Sequence, residues 1–132
     1  LEKLMESLKT KMVVLVATLL LGIVGPAASY GEQPRLTQVV YITLTKACGC
    51  TLELCQAGDI IVGKVFNGAR QGLLKRLDYS TDKEAARVYI KKYRVTQAPA
   101  LLFMDAQGNL LWMKAGDLSE PEITAQLGKF GM

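Results

Sequence analysis

Cys48, Cys50 and Cys55 are the only cysteines in a chain of 132 residues that contains no histidine. Without imidazole, Cys-His and Ser-His catalytic pairs and His-containing metal sites are excluded, so any chemistry must run on sulfur, carboxylate, Lys or Tyr. The thiols are spaced C-x-C-x4-C, at the point where the β-branched run Gln38 to Thr45 (QVVYITLT) gives way to a predicted helix. Sulfur attacks as thiolate, a form favoured by the positive end of a helix dipole and here by the neighbouring Lys46. Cys48 is therefore the candidate nucleophile. Cys50 can reach it across a tight turn at Gly49, since bridged cysteines need Cα atoms about 4.4–6.8 Å apart. So small a ring is strained, and strained disulfides are the oxidising, labile ones; such a pair should oxidise or shuffle substrates better than it reduces them.

Cys55 reads differently. Free cysteine is among the most buried residue types, and Cys55 shares a helix side with Val62 at i+7, so it is expected in the core, with a role as a second resolving thiol as the alternative. In a regular helix it lies about 10 Å along the axis from Cys48, too far to bridge without unwinding. Three cysteines leave one thiol free even in a fully oxidised monomer. The competing chemistry is soft-metal or metalloid binding, because the thiolates of Cys48, Cys50 and Cys55 suit Cu(I), Zn or a trivalent metalloid. Against it, C-x-C-x4-C is not a usual zinc spacing, and no histidine supplies a fourth ligand. A non-catalytic binding domain is the third reading. Asp78 and Glu53 are the carboxylates placed to accept a proton.

Lys plus Arg number 16 and Asp plus Glu 12, a net charge of +4 that is too mild and too scattered to point to nucleic acid. The length suits one domain with one core. Residues 1–11 mix Lys and Glu; an uncharged apolar run from Met12 to Val24 follows, then the small-residue stretch Gly25 to Ser29. Residues 1–29 thus read as a signal peptide cleaved near 27–29, or as an anchor, since 12–29 just reaches the length that spans a bilayer. The expected location is the cell envelope, exported to the periplasm or anchored facing it, where disulfides persist. Residues 30–37 read as a linker and 38–132 as the domain.

Within that domain, apolar positions Leu54, Ile61, Val62 and Val65 predict a helix from Thr51 to about Asn67, weakened at Gly58 and Gly63 by roughly 1 kcal/mol each. Gly72 to Tyr79 is a second strand. Asp82 should cap a helix over Lys83 to Tyr93, whose Ala86, Tyr89, Ile90 and Tyr93 form one apolar stripe. Ala100 to Met104 and Leu110 to Lys114 form a hairpin around Asp105 to Asn109. Ser119-Glu120-Pro121-Glu122 matches a capping box before a last helix that buries Ile123, Leu127 and Phe130. Trp112 and Tyr79 read as core and sheet residues. The order is β-α-β-α-β-β-α.

That order, with cysteines after the first strand and an X-Pro before the third, resembles the thioredoxin-like superfamily over about residues 38–130. The matching segments are Cys48-Gly49, the run Lys92-Tyr93-Arg94-Val95-Thr96-Gln97-Ala98-Pro99 leading to the family's cis-proline, and Gly116 before the last helix. The hairpin from Leu101 to Trp112 is similar to that of exported thiol-disulfide interchange domains. The resemblance implies a minimal α/β fold, a four-stranded mixed sheet with helices on both faces, lacking the family's first strand and helix. It also implies thiol-disulfide exchange with disulfide-bearing or dithiol proteins and a redox partner, without a cofactor. A cis Ala98–Pro99 bond would lie against Cys48, with the backbone at Ala98 pairing with the substrate. The chain departs from the thioredoxin pattern C-G-P-C: Cys50 stands at the proline position and Thr51 at the second cysteine. Ala47 replaces the preceding aromatic residue, and Ile42 stands where thioredoxin carries a buried Asp.

Overall fold

The computed structural model describes residues 33–132, so the leader and the span 12–29 lie outside the described residues. The elements are β1 (Gln38–Thr43), α1 (Gly49–Val65), a 3-10 turn (Gly68–Leu73), β2 (Leu74–Asp78), α2 (Lys83–Tyr93), β3 (Ala100–Met104), β4 (Leu110–Ala115) and α3 (Glu120–Lys129). This is the expected order. The four strands form one mixed sheet in the order β2-β1-β3-β4, with β1 and β2 parallel and the other pairs antiparallel.

β1 is central because nearly all of it can be buried: Val39 to Thr43 are all inaccessible or almost so. The pleat sends its side chains to opposite faces. Val39 and Tyr41 join Val62 and Val65 of α1, Phe66 just beyond its end, and Ile123 and Leu127 of α3 in one core. Val40 and Ile42 join Leu77, Leu102 and the α2 stripe of Ala86, Tyr89, Ile90 and Tyr93 in the other. Helices thus cover both faces, as expected. Each fully buried aliphatic side chain contributes roughly 1.5–3 kcal/mol, so neither face can be stripped without losing the sheet. Phe103 anchors the first core, with Trp112 edge-on at 4.9 Å and Phe66 and Phe130 at 6.4 and 6.2 Å.

The structure differs from the sequence reading at the element ends. The helix after β1 begins at Gly49 instead of Thr51, which makes Cys48 its N-cap residue. The second strand is shorter, because Gly68–Leu73 coil into the 3-10 turn. Leu36 is buried and the Thr37 N–H donates to the Met104 carbonyl at 3.0 Å, so these residues belong to the packed unit and not to a linker. Asp82 and Ser119 occupy N-cap positions, yet neither side chain makes a cap hydrogen bond. The capping box fails because Glu122 reaches across to Lys114 on β4, 3.3 Å away, instead of back to its own helix start.

The hairpin forms where expected. One Asp105 carboxylate oxygen accepts from the backbone N–H groups of Gln107 (2.9 Å) and Asn109 (2.8 Å), and the other from the Asn109 side chain (3.0 Å). These bonds, the Asn109 side chain's foremost, hold the Asp105 carboxyl below its usual range. Gly108 takes φ +81° in this turn, a conformation that disfavours any other residue.

Candidate functional site

Cys48 leaves β1 through a short turn and enters α1 in an extended conformation, φ −63° and ψ 157°, while its carbonyl already accepts from the Leu52 N–H at 2.9 Å. Its thiol is exposed and lies 3.3 Å from the Thr51 hydroxyl. Cys48 holds the N-cap position, but its thiol makes no cap hydrogen bond to a helix N–H; its partner is the Thr51 hydroxyl. The hydroxyl of Thr51, then its backbone N–H, lowers the Cys48 thiol from its ordinary value. The lowering comes from Thr51 and not from Lys46, the neighbour expected to favour the thiolate. Only the i+3 spacing of a hydroxyl to a thiol at a helix start could have signalled it.

Cys50 is exposed on the first turn of α1, and all three cysteines are free thiols. Residues two apart on a helix do not face each other, and the Cys48 thiol is turned toward Thr51 instead. Joining Cys48 to Cys50 therefore requires the first turn to open. That turn is the one least held by the helix's own hydrogen bonds.

The turn leading to Cys48 is tied to the loop that follows β2. The Thr45 hydroxyl donates to one Asp78 carboxylate oxygen at 2.6 Å, and the Thr45 N–H lies 3.3 Å from the other. The Ser80 hydroxyl accepts from the N–H groups of Thr45 (3.2 Å) and Lys46 (3.0 Å) and faces the Lys46 carbonyl at 3.3 Å. The Ser80 N–H in turn donates to Asp78 at 2.9 Å. Partial burial works to raise the Asp78 carboxyl, but the bonds from Thr45 and Ser80 outweigh it and hold it below the usual range. Asp78 is thus committed to backbone and hydroxyl partners and does not stand ready as a proton acceptor for sulfur. Glu53 is exposed on α1.

Further along α1, Cys55 is fully buried. Its carbonyl accepts from the Tyr41 hydroxyl at 3.3 Å, and the same hydroxyl donates to Asp59 at 2.6 Å. Thr43 donates to the same Asp59 oxygen at 3.0 Å. Burial, then the bond to Asp59, pushes the Tyr41 phenol far above its ordinary value, so it stays a neutral donor. Asp59 escaped the sequence reading because its partners come from the strand beneath the helix.

The Ala98–Pro99 peptide bond is cis. A Cβ on Gly58 would lie 3.0 Å from the Pro99 ring and 2.8 Å from the Tyr41 hydroxyl, so the proline abuts the third turn of α1. Ten residues of helix, about 15 Å, separate that contact from Cys48. The Pro99 carbonyl accepts from the Gly116 N–H at 2.8 Å. Ala98 is half-buried and, with Leu44, Tyr79, Ile90, Val95, Thr96 and others, lines a cleft of about 150 Å³ beside the end of β1. Among the described residues no cluster of three or more metal-ligating side chains occurs, and no helix is long and apolar enough to cross a membrane.

No protein-family model and no curated protein matches the sequence. Solved structures do match in shape. The C-terminal domain of DsbD from Neisseria meningitidis, in its reduced form, superposes with a TM-score of 0.53 at 12% identity, covering 74% of this chain and 84% of that one. Desulfothioredoxin from Desulfovibrio vulgaris Hildenborough, also reduced, gives 0.51 at 17% identity, covering 70% and 79%. The sheet order, the helices on both faces and these superpositions agree: the chain has a thioredoxin-like fold in a minimal, four-stranded form.

Proposed function

We propose that the chain is a thiol-disulfide oxidoreductase that uses Cys48 as its nucleophile. The observation that carries this reading is an exposed thiol at the start of α1, lowered by the hydroxyl and N–H of Thr51. The Cys48 thiolate attacks one sulfur of a substrate disulfide, forming a mixed disulfide and releasing the other sulfur as thiolate. The first turn of α1 then opens, and the Cys50 thiolate attacks the Cys48 sulfur. The substrate leaves as a dithiol and Cys48–Cys50 is oxidised; the reverse sequence oxidises a dithiol substrate. The cleft between Leu44 and Ala98 is the surface where a substrate chain would lie, with Ala98 at its edge.

The apolar run and small residues of 12–29 support placing this activity in the cell envelope, where protein disulfides are the available substrates. The three-thiolate metal or metalloid reading would have to draw the buried Cys55 to two exposed thiols, and no observation favours it. The test is exchange with a disulfide-bearing protein. Cys48→Ser should abolish exchange, and Cys50→Ser should accumulate a mixed disulfide through Cys48, seen by mass spectrometry. Full exchange by Cys48→Ser would overturn the assignment.

A further inference from the structure

We infer that Asp78 and Ser80, in the loop after β2, are positioning residues for the Cys48 thiol. The inference rests on the reading of Cys48 as the reactive sulfur. Neither residue touches Cys48; they act through the turn that carries it. Between the last β1 residue, Thr43, and Cys48 lie Leu44, Thr45, Lys46 and Ala47, all outside regular structure. Such a segment has no ladder to hold its backbone groups, which must find other partners. Two consecutive N–H groups, those of Thr45 and Lys46, converge on the Ser80 hydroxyl at 3.2 and 3.0 Å. Asp78 completes the arrangement from beneath, binding the Thr45 hydroxyl at 2.6 Å and fixing Ser80 through its N–H at 2.9 Å.

The base of this brace is itself rigid. Asp78 pairs with Thr43 in the β1–β2 register, and the Tyr79 N–H donates to the Thr43 carbonyl at 3.0 Å. The turn is therefore held at both ends: by the sheet at Thr43, and by Asp78 and Ser80 at Thr45 and Lys46. One free residue, Ala47, then precedes Cys48. The thiol reaches Thr51 only while Cys48 keeps its extended N-cap conformation, ψ 157°. Releasing Thr45 and Lys46 lets that angle relax, and the sulfur loses the donors that favour its thiolate.

A competing account is purely electrostatic: the negative charge of Asp78 would oppose the thiolate, and removing it would make Cys48 more reactive. The two accounts predict opposite signs. Ser80→Ala separates them further, because it removes hydrogen bonds without changing any charge.

The experiment follows the alkylation rate of Cys48 by iodoacetamide against pH in the full chain carrying Cys50→Ser, so that only one exposed thiol is read. Ser80→Ala and Asp78→Ala should each shift the rate profile to higher pH, slowing alkylation near neutrality about threefold through a smaller thiolate fraction. Ser80→Thr, which keeps the hydroxyl, should restore the parent profile. An unchanged profile in Ser80→Ala, or faster alkylation in Asp78→Ala, would overturn the inference. If Asp78→Ala unfolds, as judged by circular dichroism, the Ser80 pair still decides. This readout needs no protein substrate, so loss of the oxidoreductase assignment and loss of the brace would be seen separately.

Discussion

Cys48 and Cys55 sit about two turns apart on one helix, made of the same atoms and facing different surroundings. Cys48 is exposed at the helix start, where Thr51, its hydroxyl foremost, favours the thiolate. Cys55 is sealed against the sheet, under the Tyr41 hydroxyl and beside Gly58. The difference shows that α1 divides its work along its length: the first turn offers sulfur to solvent, and the next turns lock the helix onto β1. The reactivity proposed for Cys48 follows from position, since the residue type is common to both.

The largest expected effect tests that division directly. Cys48→Ala should remove all disulfide exchange while leaving the melting temperature nearly unchanged, because the side chain is exposed. Gly58→Ala should do the reverse. Its new methyl would meet the Tyr41 hydroxyl at 2.8 Å, and that hydroxyl is fixed by Asp59. Overpacking of this kind costs about 1–3 kcal/mol, offset in part by a gain of up to about 1 kcal/mol in helix propensity. Denaturant unfolding would show the net loss, and unchanged stability would mean that the contact yields easily. Cys55→Ala should cost about 1 kcal/mol and keep exchange nearly intact, which a coupled melt and activity assay would show.

Thr51→Val gives the smallest effect and the sharpest comparison. It removes the hydroxyl that lowers the Cys48 thiol, so the pKa rises and less thiolate exists at a given pH. The rate profile should move to higher pH, with alkylation near neutrality slowed about threefold. The backbone N–H of Thr51 stays and preserves part of the lowering. A profile unmoved by the substitution would locate the lowering elsewhere.

The elements were legible in the sequence because each carries a local signal: QVVYIT is a β-branched run of the kind a strand buried on both faces needs, and Ala86, Tyr89, Ile90 and Tyr93 recur on one face of α2. Cys48 was legible for the same local reason, a cysteine where a strand pattern meets a helix pattern. What stayed hidden depends on partners far along the chain. Ser80 meets Thr45 across 35 residues, and Asp59 meets Tyr41 across 18. The failed capping box is of this kind too, since Glu122 prefers Lys114 on a neighbouring strand. Pro99 was foreseen as a cis residue by resemblance, but its seat against Gly58 depends on how far back α1 runs over the sheet.

The two halves of the sheet close in different ways, and this bears on when the thiol acquires its character. The β3–β4 hairpin carries its own turn, organised by the Asp105 carboxylate within a few residues. The parallel β1–β2 pair can form only after α1 and the 3-10 turn have crossed over, and closing a longer loop costs more chain entropy. Contacts of low sequence separation form first, so the hairpin should gain protection early and the brace around Thr45 late. During refolding of the complete chain, Cys48 then behaves as an unactivated thiol until the parallel pair has docked. Pulsed alkylation of a refolding chain would register this as a late rise in Cys48 labelling rate, so that a chain becomes competent for exchange only once its own sheet is complete.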